Sequence, residues 1–138
     1  MIRFIKFTVP GEVRGKGRPR FTKVGSYARV YTDSTTVNYE NWVKICFQEA
    51  RQGKLAGELK AEIICYFGIP KSYSKKKKEE AEKGLLRPTK KPDIDNIAKI
   101  ILDSLNGMAY DDDKNIVSCQ IDKWFDTNPR VEIYIYEV

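Results

Sequence analysis

The 138-residue sequence contains no histidine. That removes Cys/His zinc sites, Ser-His-Asp triads and every hydrolase that relies on a histidine base. Catalysis by such a chain has to run on carboxylates, lysine, tyrosine or a metal held by oxygen ligands. Cysteine is scarce too. Cys46, Cys65 and Cys119 are odd in number and far apart, and their apolar, strand-like contexts predict buried reduced thiols rather than a disulfide framework. No apolar run approaches the roughly 18 residues of a spanning helix, and the opening MIRFIKFTVP lacks the length and cleavage site of a signal peptide. The expectation is one cytoplasmic domain over residues 1–138, with no membrane partner and no small-molecule organic cofactor.

Charge is what the chain has in quantity. Its 25 Lys and Arg against 19 Asp and Glu leave a net +6, but the two signs are segregated. Residues 1–91 carry 21 cations against 9 anions, and residues 92–138 carry 4 against 10. A basic lobe of that size favours a polyanion such as nucleic acid, mainly through phosphate contacts.

Periodicity and turn residues predict the elements. Residues 2–9 read as a strand buried on both faces, closed by Pro10 and Gly11. RGKGRPR, residues 14–20, packs Arg14, Lys16, Arg18 and Arg20 around two glycines, a composition suited to close approach to phosphate or to a solvated loop. Phe21, Tyr27 and Tyr31 follow, either to stack on bases or to pack a hairpin. A core helix is predicted from about Ser34 to Gly53, with Asp33 or Ser34 as cap and an apolar stripe of Tyr39, Trp42, Val43, Cys46, Phe47 and Ala50. Residues 59–67 alternate as a strand. Ser74 caps a short charged helix whose lysines, Lys75 and Lys76 among them, meet either phosphate or water. RPTKKP then leads extended through Lys90 and Lys91 into Pro92. An amphipathic helix follows over 93–106, with Ile94, Ile97, Ala98, Ile101 and Leu105 on its apolar stripe, stopped by Asn106-Gly107. Residues 115–125 and 130–138 read as strands joined at the turn 126–129 into an antiparallel hairpin. The fold class is α+β: a mixed sheet flanked by helices.

Residues 91–117, KPDIDNIAKIILDSLNGMAYDDDKNIV, hold six of the nineteen acids. Asp93 and Asp95 open the helix, Lys99 lies between the acid clusters, and Asp111, Asp112 and Asp113 follow in a loop. Helix capping would use one aspartate at the start. A second, with Asn96 and Lys99 on the same face as Asp103, exceeds that need. Three adjacent carboxylates repel unless a cation lies nearby. A helix of this length spans about 20 Å, so the loop must fold back to join the first cluster, or a second subunit must contribute. Carboxylates that converge would make a hard-oxygen site for Mg²⁺ or Mn²⁺. Beside a phosphate-binding surface, such a site suits phosphodiester hydrolysis.

The succession GKGRPR, PKSYSKKK, KPDIDNIAKIILDSLNG and DDKNIV resembles the RusA family of Holliday-junction resolvases, over most of the chain from Gly15 onward. The resemblance implies a dimeric mixed α/β endonuclease of recombination and repair that cuts opposed strands of four-way DNA junctions symmetrically. At matching positions it implies that Asp93, Asp95 and Asp113 hold Mg²⁺, with Mn²⁺ able to substitute, and that Lys99 assists catalysis. Asn96, Asp103 and Asp112 would be supporting residues. The extra Asp111 leaves the downstream pair as 111–112 or 112–113, and spacing to Ile116 and Val117 favours the latter. A restriction-like nuclease reading has Glu58-Leu59-Lys60 as its acid-x-lysine triplet, but Asp93 follows that triplet instead of preceding it. A non-catalytic junction or duplex binder, whose acids only cap and pair, is the remaining alternative.

Overall fold

The computed structural model describes residues 3–17, 20–25, 27–31 and 34–138, with the side chains of 20–22, 24 and 27–31 outside that description. Strict alternation of apolar and polar residues builds the sheet. β1 (Phe4–Pro10) turns Ile5, Phe7 and Val9 inward. β4 (Leu59–Gly68) buries Leu59, Ala61, Ile63, Cys65 and Phe67, and β6 (Arg130–Glu137) buries Val131, Ile133 and Ile135. β5 (Ile116–Asp126) completes a four-stranded sheet of order β1-β6-β4-β5, in which only the β4–β5 pair is parallel. β2 (Arg20–Val24) and β3 (Tyr27–Tyr31) form a separate antiparallel ladder. The expected α+β fold with a mixed sheet is therefore what forms.

Two helices cover the inward face of the sheet. α1 (Ser34–Glu49) buries Tyr39, Val43, Cys46 and Phe47, with Phe47 packed edge-on against Phe7 at 5.4 Å between ring centroids. Trp42 departs from the expected stripe: it is 40% exposed, and its indole N–H donates to the Pro10 carbonyl at 2.8 Å. α3 (Ile94–Ser104) buries Ile97, Ile100, Ile101 and Leu102, followed by Leu105 in its C-cap. Ile94, assigned to that stripe from periodicity, is exposed in the first turn. α2 (Lys75–Glu82) runs beside β5, and Ser74 caps it as expected, accepting from the Lys77 N–H. The proposed Asp33 cap lies outside the described residues.

Three further expectations are overturned. β1 is an edge strand with one buried face, and Phe4 on the other face is 57% exposed. Cys46 and Cys65 are buried, and burial pushes the Cys65 thiol up to about 12, but Cys119 is exposed on the outer edge strand. β5 and β6 do not form a hairpin, because β4 lies between them. The turn itself is real: Asp126 accepts from the Asn128 N–H and, at 2.6 Å, from Arg130. Turn chemistry specifies a reversal, not which strands pair. Three residues bridge the roughly 10 Å of two strand spacings, passing over the end of β4 at Gly68. A Cβ there would lie 2.7 Å from Glu12 Oε1 and 3.2 Å from Pro129 Cγ. Glycine leaves room there for the Glu12 carboxylate, which accepts from the Gly68 N–H at 2.9 Å.

Candidate active site

The acidic helix face forms one wall of a cavity of about 490 Å³ lined by Asp93, Asp95, Asn96, Lys99, Asp103, Lys16 and Gly17. Asp95, Lys99 and Asp103 recur at every fourth residue, which stacks them along one side of α3. Asp93 holds the N-cap position with extended backbone angles, yet its side chain makes no capping hydrogen bond. Capping therefore does not account for this carboxylate. The Asp93 carbonyl accepts from the Ile97 N–H, but neither the Asp93 nor the Asp95 carboxylate has a hydrogen bond or ion pair with any described residue.

The segment that delivers Asp93 is anchored to the sheet by a lysine that the sequence reading passed over. Lys123 on β5 donates from Nζ to the carbonyls of Lys90 at 2.6 Å and Pro92 at 2.9 Å. Arg87 lies flat on Trp124, 3.4 Å from the ring centroid, and donates to the Lys123 carbonyl. The approach segment RPTKKP is thus tied to β5, but it is not extended throughout: residues 90–92 bend, and the Lys91-Pro92 peptide bond is cis. Lys123 is one cation in an alternating strand, and nothing in its spacing connects it to residues 90–92.

The opposite wall is the loop of residues 11–17. Gly15 packs so closely on α3 that a Cβ would lie 2.9 Å from Pro92 Cβ and 3.0 Å from Asn96 Nδ2. The Gly17 N–H donates to Thr36 Oγ1 at 2.7 Å, and Lys16 Nζ donates to Asp103 Oδ2 at 2.6 Å. A second cavity of about 470 Å³ continues along this loop past Arg14 and Lys91. Acid and base thus face each other across one cleft.

After α3 the chain reverses sharply. Gly107 takes a positive φ of 76° and donates its N–H to the Tyr110 carbonyl, and buried Tyr110 donates to the Leu102 carbonyl. This return brings Asp113 against Asp103; the loop folds back within the chain, but it meets the later part of the helix face rather than joining Asp93 and Asp95. Asp111 points elsewhere, to Lys54 at 2.5 Å, with its side chain 81% exposed. Asp112 accepts from the Lys114 N–H at the start of a 3₁₀ turn, Asp113–Asn115. Of the two registers, 112–113 is the one that faces the helix.

The charges are unbalanced. A hydrogen bond shared with Asp103 raises the Asp113 carboxyl above its ordinary range, reinforced by partial burial and by the charges of Asp103 and Asp112. Burial would raise Asp103 as well, but its hydrogen bonds with Lys16 and Asp113, and the charges of Lys16 and Lys99, hold it low. The hydrogen bond to Asp103 raises Lys16, whose ammonium also feels Glu40 of α1 and Asp113.

Among the described residues no three acidic or thiol side chains are gathered closely enough to enclose a metal ion. The donor set nevertheless suits a hard divalent cation. Its atoms are all oxygens, the Asp93 and Asp95 carboxylates are unpaired among the described residues, and Asp113 is raised chiefly by the hydrogen bond it shares with Asp103. Mg²⁺ takes only one or two protein carboxylates and completes its shell with water and substrate phosphate.

Of the other predicted residues, Lys75 and Lys76 are exposed on α2, away from both cavities. Lys90 is exposed, with its ammonium over the Phe67 ring at 5.6 Å. Arg18 and the side chains of Arg20, Phe21, Tyr27 and Tyr31 lie outside the described residues. The Glu58-Leu59-Lys60 triplet opens β4 with Leu59 in the core and Lys60 paired to Glu62.

The chain is 39% identical over 137 residues to the uncharacterized protein YqaN of Bacillus subtilis strain 168, covering 97% of this chain and 96% of that protein. The family model described as endodeoxyribonuclease RusA matches residues 10–136. That span contains both walls of the cleft, the acidic return and the Lys123 anchor, and the chain belongs to the RusA endodeoxyribonuclease family.

Proposed function

We propose that this protein is a Mg²⁺-dependent endodeoxyribonuclease that resolves four-way (Holliday) DNA junctions by paired, symmetric cuts, acting as a homodimer in recombination and repair. The observation that carries the reading is the cleft in which Asp93, Asp95 and Asp103 face cations of the basic loop. A protein that only bound DNA would gain nothing from unpaired carboxylates beside a phosphate backbone.

Asp93, Asp95 and Asp113 would hold the metal, Mg²⁺ or in its place Mn²⁺, which would supply charge neutralisation at the scissile phosphate and a more acidic attacking water. Lys99, between Asp95 and Asp103 on the helix, would stabilise the negative charge that builds on the phosphate oxygens as water adds and the P–O bond breaks. Arg14, Lys91 and the cations beyond them, Arg18, Arg20, Lys75, Lys76 and Lys90, would hold the DNA backbone. Two copies related by a two-fold axis would match the symmetry of the junction and give one cut in each of two opposed strands.

The test is an immobile four-way junction and its matched duplex, each labelled on one strand at a time, incubated in Mg²⁺ or EDTA. Paired cuts near the branch that need both metal and Asp93 are expected, together with sedimentation as a dimer. Junction binding without cleavage in any metal would leave the non-catalytic reading. Equal cutting of duplex would remove the junction from the function.

A further inference from the structure

Lys16 belongs by sequence to the cations of the basic loop, but its surroundings set it apart. Arg14 and Lys91 line the same cleft and make no ion pair with any described residue. Lys16 gives its ammonium to Asp103 at 2.6 Å, and both side chains are more than two-thirds covered. That is at or just below the usual charge-assisted range of about 2.7–2.9 Å. The pair is flanked by fixed contacts of the loop: Gly15 has no room for a Cβ against Pro92 and Asn96, and Thr36 holds the Gly17 N–H. A free surface lysine must give up rotamer freedom to hold one geometry. Here the loop supplies much of that order. Were Lys16 to turn toward a phosphate, Asp103 and Asp113 would be left facing each other with less compensation.

We propose that Lys16 is a positioning residue of the acid cluster, fixing the Asp103 carboxylate against the helix face so that Asp113 is the acid left to receive a metal ion. This role rests on the nuclease reading above. It makes Lys16 a support for a metal ligand rather than a contact to DNA. Partners that orient metal ligands typically alter affinity or activity by about 10–100-fold when removed.

The experiment compares wild type, Lys16→Met, Lys16→Arg, Asp103→Asn and the Lys16→Met/Asp103→Asn double variant. Three readouts are taken: single-turnover junction cleavage across a Mg²⁺ titration, metal-free junction binding across salt concentrations, and thermal melting in EDTA. Lys16→Met is expected to slow cleavage about 10–100-fold and to raise the Mg²⁺ needed for half the maximal rate. Its metal-free affinity should stay within about twofold and its salt slope should be unchanged. Lys16→Arg should recover most of the loss, which keeps the test open if the methionine variant folds poorly. Because the two groups act as a unit, the double variant should be no slower than the slower single, and Lys16→Met should not lower the melting point further in the Asp103→Asn background. Weaker metal-free binding with a salt slope reduced by about one would make Lys16 a phosphate contact and overturn the proposal. Rate losses that multiply in the double variant would also overturn it. If wild type cuts in no metal, the nuclease reading falls by itself, and the melting cycle in EDTA still decides whether Lys16 and Asp103 act as a pair.

Discussion

Replacing Lys123 by methionine removes a charge that touches neither cavity and keeps most of the side chain's apolar volume. Two hydrogen bonds disappear, to the carbonyls of Lys90 and Pro92. The Lys90 carbonyl is exposed and can turn to water, whereas the Pro92 carbonyl is partly buried, so only the second loss counts in full. A hydrogen bond to a charged group contributes about 1.5–3 kcal/mol. At roughly 4 °C per kcal/mol, the melting point should fall by about 6–12 °C. The larger consequence is for the site. Asp93 follows Pro92 directly and has no capping hydrogen bond of its own, so the anchor behind it sets where its carboxylate points. A misplacement of about 1 Å can lower a rate about a hundredfold, and cleavage at saturating Mg²⁺ should drop by about that factor. Denaturation followed by circular dichroism and single-turnover junction cleavage measure the two effects. If Lys123→Met melts as calculated but cuts within about twofold of wild type, the anchor stabilises the fold without positioning Asp93, and the reasoning is refuted.

Asp113→Asn should abolish most cleavage, by more than about a hundredfold, yet raise the melting point in EDTA at neutral pH. The sign follows from Asp113 being raised in the folded state. Between its unfolded and folded pKa values the native protein binds the extra proton, so stability falls as pH rises through a window above 3.8, and asparagine removes that fall. Asp103 is lowered, so its contribution is present above 3.8 and lost as pH drops through its folded value. The acid limb of the cleavage profile should track loss of the Asp113 proton, and Asp103→Asn should move that limb to lower pH, as read from pH–rate curves. Among the described residues Asp111→Asn breaks the exposed pair with Lys54, and a gel assay should find cleavage within about twofold of wild type. Gly68→Ala displaces the Glu12 carboxylate from the Gly68 N–H and crowds Pro129, and urea unfolding should show a loss of about 1 kcal/mol.

Local signals carried much of the architecture. Alternation located β1, β4 and β6, and the Ser74 cap and the Asn106-Gly107 stop placed helix ends, because each feature depends on neighbours a few residues away. The β5–β6 hairpin failed for the complementary reason: residues 126–129 encode a reversal, while the strand that enters between β5 and β6 lies some sixty residues earlier. Ile94 failed because periodicity cannot tell that the first turn of α3 overhangs the core. At the site, spacing put Asp95, Lys99 and Asp103 on one face before any fold was considered. Lys123 and Glu40 were invisible, since a single polar residue on a strand or helix carries no mark of what it will meet across the molecule. Lys16 was read by its charged neighbours in sequence, and its partner proved to be an acid 87 positions away.

The sheet order also bears on how the chain is made. β1 emerges from the ribosome first, yet its hydrogen-bonding partner is β6, with Ile5 opposite Ile135. At about 5–20 residues per second, the nascent chain holds Ile5, Phe7 and Val9 without their strand partner for on the order of ten seconds. Pairings that span so much sequence close late, and a long-unpaired strand is open to the wrong neighbours. Low temperature and slow expression should therefore improve the soluble yield of this protein, whereas ending translation before residue 130 would leave β1 and β4 with no strand between them.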